Sequence, residues 1–177
     1  MARDHARILT AIWRDPDFRA LDVGGQHAYL ALVSQEALTY AGVLDYRPGR
    51  IAALSKGNTA SKVERAIRSL AAARFVVLDE QTEELLARTY VRYDGVMDRV
   101  NMGKAVGRAI DKIVSLNLRA AVLTELGRHY AEKPTLAGWD GLAEVNADAM
   151  NHVTAMASTI PLPMASGMAT AMASGKA

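Results

Sequence analysis

The chain has 177 residues, of which 50% are hydrophobic and 23% charged, which is the composition of a globular protein with one sizeable core. It contains no cysteine, which excludes disulfide bonds and thiolate metal sites. Neither a signal peptide nor an apolar run of roughly 20 residues, as a membrane span requires, is recognised, so we expect a cytoplasmic protein without membrane contact.

The first predicted elements are a strand or extended arm and a buried helix. Residues 7–13 form a short run of β-forming residues, closed by the turn residues Asp15-Pro16-Asp17. Residues 26–40 are apolar on nearly all sides, which is typical of a central helix. Trp13 adjoins the predicted strand and is expected in the core.

A helix, a turn and a second helix are predicted next. Residues 43–46 suit a small strand, and Pro48 is tolerated at the first position of the short helix that follows. A Ser-Lys-Gly-Asn run then has the chemistry of a turn. Thr59 or Asn58 caps a longer helix over residues 59–73, whose apolar positions recur at helical spacing. This order is that of a helix-turn-helix.

Positive charge is concentrated on this helix pair. The formal net charge of the whole chain is only +2, which by itself predicts no affinity for nucleic acid. Residues 47–74, called here the basic segment, carry seven basic residues against one acid, Glu64, which is a local net charge of +6. Such a patch binds polyanions by releasing their counterions. The seven basic residues are Arg47, Arg50, Lys56, Lys62, Arg65, Arg68 and Arg74.

A β-hairpin is predicted directly after the second helix, where it would be the wing of a winged-helix domain. Residues 75–78 and 85–93 are rich in β-forming residues and are joined by an acidic stretch. Alternation along the second run places Arg88, Tyr90 and Arg92 on one face of the strand. Acids at the tip would repel phosphate, so the wing is expected to be framework. Its two arginines are candidates for DNA contact, and an ordinary place on the sheet surface suits them equally.

The rest of the chain is predicted to be helical, with a tail. Helices over residues 101–114 and 116–131 have apolar faces suited to a helical hairpin, packed on the domain or on a second copy in a homodimer. The overall class is mainly α with a small β hairpin, α+β. The predicted organisation is a winged-helix domain at 1–98, the helical hairpin at 99–133, a short amphipathic helix within 134–157 and a disordered Ala-, Met-, Ser- and Gly-rich tail at 158–177.

No pattern indicates catalysis, a metal or a cofactor. The four histidines are scattered, without a pair at ligand spacing. Met102-Gly103-Lys104-Ala105 is similar to the end of a phosphate-binding loop, but Asp98 stands where a glycine is needed and Ala105 where Ser or Thr would hold magnesium. No two acids are placed together for acid and base work. We therefore expect a protein that is not an enzyme.

The candidate DNA-binding residues lie mainly on the outer side of the helix over residues 59–73. An α-helix in the major groove presents its first polar side chains to base edges and its other cations to phosphates. The alternative is that Lys and Arg only keep a surface helix soluble, but the hairpin and the charge asymmetry favour DNA. The set is Arg47, Arg50, Lys56, Asn58, Thr59, Ser61, Lys62, Arg65, Arg68, Ser69, Arg88 and Arg92.

An ordered set of residues resembles a known group of proteins. It runs from Ile12-Trp13 and Asp15-x-Asp17-Phe18-x-x-Leu21, through Gln26-x-x-Tyr29-x-x-Leu32 and Ala41-Gly42-Val43-Leu44, to Ala66-x-x-x-Leu70 and Asp79-x-x-Thr82-x-Glu84-Leu85-Leu86-x-Arg88. Over residues 1–131 the chain resembles winged-helix proteins of actinobacteria and their phages, and its layout is similar to the amino-terminal domain of DnaD-type phage replisome organisers. The resemblance implies binding of double-stranded DNA at a replication origin or an operator, with self-association.

Two functions are therefore predicted. The first is a double-stranded DNA-binding protein that acts in replication initiation or transcriptional control and reads the major groove with the helix over residues 59–73. The second is a protein-interaction module, in which the winged helix is a scaffold and a helix over residues 142–156 docks in a groove of a partner. The acidic hairpin tip and the near-neutral total charge motivate the second hypothesis.

Overall fold

The computed structural model describes residues 5–160. Within that range the chain is mainly helical, with one small antiparallel sheet of three strands, so the predicted α+β class is confirmed. The elements in chain order are a 3-10 helix at Thr10–Arg14, α1 at Pro16–Ala20, α2 at Val23–Val33, β1 at Val43–Asp45, α3 at Pro48–Ala52, α4 at Ala60–Ala72, β2 at Val76–Asp79, β3 at Glu84–Ala87, α5 at Tyr90–Tyr93, α6 at Val100–Asp111, α7 at Leu116–Glu132, α8 at Gly138–Val145 and α9 at Ala147–Thr159.

The amino-terminal segment contains a 3-10 helix in place of the predicted strand. Thr10–Arg14 is a 3-10 helix, and α1 follows because the side chain of Asp15 accepts hydrogen bonds from two N–H groups of the next turn, at 2.8 and 3.2 Å. The strand predicted over residues 7–13, as one alternative to an extended arm, is wrong, because Thr10–Arg14 closes its backbone hydrogen bonds in a 3-10 helix and the sheet of the described residues consists of β1, β3 and β2. Trp13, expected in the core, is 54% exposed and meets the edge of the Phe18 ring.

Helix α2 begins and ends earlier than the apolar pattern of residues 26–40 indicates. The side chain of Asp22 accepts a hydrogen bond from the N–H of Gly25 at 2.6 Å and so starts the helix. At the other end the Ser34 hydroxyl donates to the C=O four residues earlier, at 2.7 Å, and the chain turns. Leu38 lies in the loop that follows, and its side chain is buried. Its apolar character therefore reflects a place in the core and not in a helix.

Strand β1 pairs with the outer side of the hairpin β2–β3, and both pairings are antiparallel. The predicted hairpin is confirmed, but β3 ends at Ala87, and the residues expected to continue it up to Tyr93 form α5. The last ladder bonds join the N–H of Ala87 to the C=O of Gly42 at 2.8 Å, and the N–H of Arg88 to the C=O of Phe75 at 3.1 Å. Both neighbouring strands begin there, so the chain beyond that point satisfies its backbone groups in a helix.

Helices α6 to α9 pack in pairs that differ from the predicted hairpin. The bounds of α6 and α7 are close to those predicted, but α6 packs mainly on α8, and α7 mainly on α9. The single helix predicted within residues 134–157 is two helices, because the side chain of Asn146 caps α9 by accepting from the N–H of Ala149 at 2.9 Å. The tail predicted over residues 158–177 begins inside α9, and its part from residue 161 lies outside the described residues.

Glycines allow α6 and α8 to approach each other closely. A Cβ atom on Gly103 would overlap the backbone carbonyl of Gly138, and one on Gly141 would overlap that of Val100. The two helix backbones are therefore in direct contact, which only a residue without a side chain permits.

One hydrophobic core extends through both halves of the described chain. It includes Leu32 and Ile67 in the first half and Leu126 in the second, and α7 joins the halves by packing on β2, β3 and α5. Trp139 is buried, and its Nε1–H donates to the C=O of Lys133 at 2.8 Å. No helix in residues 5–160 has the length and apolar character needed to cross a bilayer.

Candidate nucleic-acid interface

The helix pair α3–α4 presents one polar side to solvent. Pro48 opens α3, as predicted. Thr59 caps α4, since its hydroxyl oxygen accepts from the N–H of Lys62 at 3.3 Å. The apolar stripe of α4 is buried against α2, α3 and β2. The opposite side of α4 therefore faces solvent.

Ten of the predicted site residues lie on α3, on α4 or in the segments just before them, and we call this set the α4 surface. Arg47 and Arg50 also line a groove that α3 forms with β1 and the end of α6. Asn58 is half-buried, and the other nine are exposed. On α4 itself, Ser61, Arg65 and Arg68 follow one another at spacings of four and three residues and so share one stripe of the helix. The ten residues are Arg47, Arg50, Lys56, Asn58, Thr59, Ser61, Lys62, Arg65, Arg68 and Ser69.

The turn between α3 and α4 positions Lys62. Gly57 has a φ of +79°, a left-handed conformation that favours glycine. Its C=O accepts a hydrogen bond from Nζ of Lys62 at 2.9 Å, which holds the ammonium beside the start of α4. The positive end of the helix dipole lies at the same place. Together they favour an anion there.

Two surface ion pairs reduce the charge of the α4 surface. Nη2 of Arg68 lies 3.3 Å from Oε1 of Glu80 in the β2–β3 turn, and Nε of Arg47 lies 3.4 Å from Oδ2 of Asp45. All four side chains are at least half exposed. Exposed pairs of this kind contribute about 1 kcal/mol or less, so a phosphate can replace the carboxylates at small cost.

Arg88 and Arg92 lie apart from the α4 surface. Arg92 is on α5, so the prediction that both share a strand face is wrong. Both contact Glu125 of α7: Nη1 of Arg88 lies 2.5 Å from Oε1, and Nη1 of Arg92 lies 3.5 Å from Oε2. The Glu125 side chain is only 2% exposed, and a buried carboxylate requires paired charges. The two arginines therefore neutralise a buried carboxylate inside the fold, a role hidden in the sequence because Glu125 lies 37 residues beyond Arg88.

Acids of the hairpin, expected only to repel phosphate, also hold the start of α7. The Ser115 hydroxyl donates to Oδ2 of Asp79 at 2.6 Å, and this bond keeps the pKa of Asp79 below its ordinary value, against a smaller opposing effect of burial. The carboxylate of Glu84 accepts from the N–H groups of Val114 and Ser115, at 3.0 and 2.6 Å. No local pattern links these residues, so sequence reasoning missed the contact.

The α4 surface has the chemistry of a binding face. Its cations and hydroxyls can donate to phosphate oxygens and to base edges. Residues 5–160 contain no cluster of three or more His, Asp or Glu side chains suited to a metal ion. Comparisons of the chain with protein-family models, with curated proteins and with solved structures found no match. Function is therefore inferred from the geometry of this surface.

Proposed function

We propose that the protein is a winged-helix protein that binds double-stranded DNA with the α4 surface in the major groove. The order of elements supports this proposal. Elements α2, β1, α3 and α4 precede the hairpin β2–β3, and β1 pairs with the edge of β3 that does not contact β2. A helix-turn-helix docks its second helix in the major groove. With 13 residues, α4 is roughly 20 Å long and can cross a groove about 12 Å wide.

The observation that carries the proposal is the exposure of every cation in the basic segment. All seven of its Lys and Arg residues are exposed, whereas its one acid, Glu64, is half-buried. The segment has a net charge of +6 and the whole chain +2, so the other residues carry −4, the difference of the two. A locally positive surface of this kind attracts a polyanion although the chain as a whole is nearly neutral.

The residues divide by position on the α4 surface. Those at the start of the helix are proposed to face base edges, as the start of the second helix does in helix-turn-helix domains. They are Asn58, Thr59, Ser61, Lys62 and Arg65. Lys56 lies in the turn before the helix and Arg68 lies in its second half, and both suit phosphates. Arg88 and Arg92 are left out of the proposed site, because Glu125 engages both.

The alternative of partner docking through residues 142–156 has less support. Ala149 and Val153 of α9 are buried, and α9 packs against α7. The faces of α6 and α7 that were expected to pair in a homodimer are likewise packed against α8 and α9. DNA binding, in replication initiation or in transcriptional control, is therefore the function that the described surface supports best.

The test compares two double variants of equal charge. Lys62→Ala with Arg65→Ala removes two cations of the α4 surface, and Arg14→Ala with Arg19→Ala removes two exposed arginines outside the basic segment. Fluorescence anisotropy with duplexes selected from genomic fragments measures affinity at several salt concentrations. We expect the first variant to lose roughly 10- to 100-fold in affinity with a shallower salt dependence, and the control to stay within about twofold of wild type. Equal losses in both, or no salt-sensitive binding to any duplex, would refute the proposal.

A further inference from the structure

A groove lies between the end of α4 and α7, beside β2. Its volume is about 580 Å³, which is within the range of ligand-binding clefts. Val77 and Ala121 belong to its apolar lining. Its basic lining consists of Arg74, Arg88 and Arg128, and we call it the arginine groove.

The arginine groove carries more positive charge than its acid can neutralise. Among residues 5–160, three guanidiniums line it against one carboxylate, that of Glu125, so the formal sum is +2. Nη1 of Arg88 and Nη1 of Arg128 both contact Oε1 of Glu125, at 2.5 and 2.7 Å, so two cations share one oxygen. Arg92, which also approaches Glu125, has a second carboxylate partner in Glu132 and adds nothing to this surplus.

Arg74 has a backbone conformation that arginine does not favour. Its φ is +62°, in the left-handed region where glycine is the usual residue. Its N–H donates to the C=O of Ala71 at 3.0 Å, and the N–H of Phe75 donates to the C=O of Leu70 at 2.9 Å. This is the Schellman ending of a helix, whose left-handed residue is commonly glycine or asparagine. An arginine at such a position strains the backbone, and strain of this kind is concentrated at binding sites.

The three arginines are accessible to a ligand. The side chains of Arg88 and Arg128 are 30% and 43% exposed, and Arg74 is exposed. Nε of Arg88 donates to the C=O of Arg74 at 2.6 Å, which holds these two residues side by side. A guanidinium has five N–H donors and can bind a phosphate group through two of them at once. The groove can therefore supply several charge-assisted hydrogen bonds to one anion.

We propose that the arginine groove binds a small organic phosphate, a phosphomonoester whose anion lies among Arg74, Arg88 and Arg128. A phosphomonoester carries a charge of about −1.5 to −2 at neutral pH, which matches the surplus of +2. The apolar lining, which includes Val77 and Ala121, suits the organic part of the ligand. A cleft with walls on two sides suits a small molecule. The site is independent of the proposed binding of DNA by the α4 surface.

The first experiment compares phenyl phosphate with phenyl sulfate, which has a similar shape and one negative charge less. Each is titrated into the full chain near pH 7.5, where a phosphomonoester has lost its second proton, and calorimetry and amide shifts follow binding. Phenyl phosphate is expected to bind about fivefold more tightly, with shifts in residues 74–78 and 121–128. Equal affinities would overturn the charge match, and shifts confined to the α4 surface would overturn the location.

The second experiment removes one cation without adding strain. Asparagine tolerates the left-handed conformation, so Arg74→Asn deletes the charge and should leave the urea midpoint of unfolding unchanged or raised. Its affinity for phenyl phosphate is expected to fall roughly fivefold. Arg19→Asn, at an exposed position on α1, is the control and should leave the affinity unchanged. Undiminished binding by Arg74→Asn, or an equal loss in the control, would overturn the proposal.

The third experiment separates the arginine groove from the α4 surface. The double variant Lys62→Ala with Arg65→Ala should bind phenyl phosphate as wild type does, whether or not the protein binds DNA. A loss of phenyl phosphate binding in this variant would show that the anion lies on the α4 surface. Displacement of phenyl phosphate from wild type by a DNA duplex would show that the groove holds a backbone phosphate of DNA. Either result would overturn a separate site for a small phosphate.

Discussion

The α4 surface and the cluster around Glu125 use the same side chain, arginine, for different purposes. On the α4 surface the arginines are exposed, and the ion pairs of Arg47 and Arg68 are with exposed acids. In the Glu125 cluster, Arg88, Arg92 and Arg128 surround a carboxylate that is 2% exposed. Burial of the partner decides the role of these arginines: a solvated partner is exchanged readily, whereas a buried one holds the arginine in the fold.

The Glu125 cluster also connects elements that are distant in the chain. Arg88 follows β3, Arg92 is on α5, and Arg128 lies one turn after Glu125 on α7. Arg92 donates in addition to Glu132 at 2.5 Å, so α5 is tied to α7 at two points. The cluster therefore binds the sheet to the carboxy-terminal helices, whereas the cations of the α4 surface are exposed.

The largest expected effect comes from breaking the Glu125 cluster. Glu125→Ala should lower the free energy of unfolding by about 1–3 kcal/mol, because it leaves the partly exposed guanidiniums of Arg88 and Arg128 without their carboxylate. Glu144→Ala, which removes a 61% exposed partner of Lys104, is the control and should cost less than about 1 kcal/mol. Urea unfolding measures both. A Glu125 variant as stable as the Glu144 control would show that the cluster does not hold the fold together.

Acidification is expected to affect α7, which carries Glu125 and His129, and so tests that region independently of the α4 surface. His129 is buried on α7, and burial, followed by the charge of Lys133, lowers its pKa. The unfolded chain therefore binds the proton more readily, and stability should fall as the pH decreases through about 6.5, the ordinary value. Urea unfolding between pH 7.5 and 5 should show this loss in wild type and less of it in His129→Gln. An identical pH dependence in both proteins would contradict the assignment of this loss of stability to protonation of His129.

The smallest expected effect is on the α4 surface itself. Glu80→Gln releases Arg68 from its exposed partner and should raise affinity for duplex DNA about twofold, while changing the free energy of unfolding by less than about 0.5 kcal/mol. Glu36→Gln removes an exposed acid outside the basic segment and is the control for net charge. DNA anisotropy and urea unfolding are the measurements. Equal effects of both variants on DNA affinity would mean that the pair with Arg68 is irrelevant to binding.

The candidate site could largely be located from the sequence because its determinants are local. The cap residue Thr59 and the buried residues Val63, Ile67 and Leu70 lie within one helix, where spacing alone defines the inner and outer sides. The density of cations from residue 47 to 74 is likewise a property of the chain itself. Which of those cations would face a ligand follows from the helical period.

Other predictions failed where a distant partner decides the outcome. The strand predicted through Tyr93 stops at Ala87, because its neighbours begin at that point, and these neighbours come from other parts of the chain. Trp13 is exposed although it is aromatic, because among residues 5–160 its packing against the Phe18 ring leaves 54% of it uncovered. β-forming composition and hydrophobicity express a tendency, and pairing or burial also requires a partner.

The sequence by itself therefore determined the helix pair, its cap, its buried stripe and the charge of its outer side, since each depends on residues within a few turns of one another. Only the tertiary structure decided that Arg88 and Arg92 belong to a buried carboxylate and that Asp79 and Glu84 hold the start of α7. The physical reason is that burial and strand pairing bring together residues that are far apart in the chain. The periodicity of a sequence does not indicate which distant residues will be in contact.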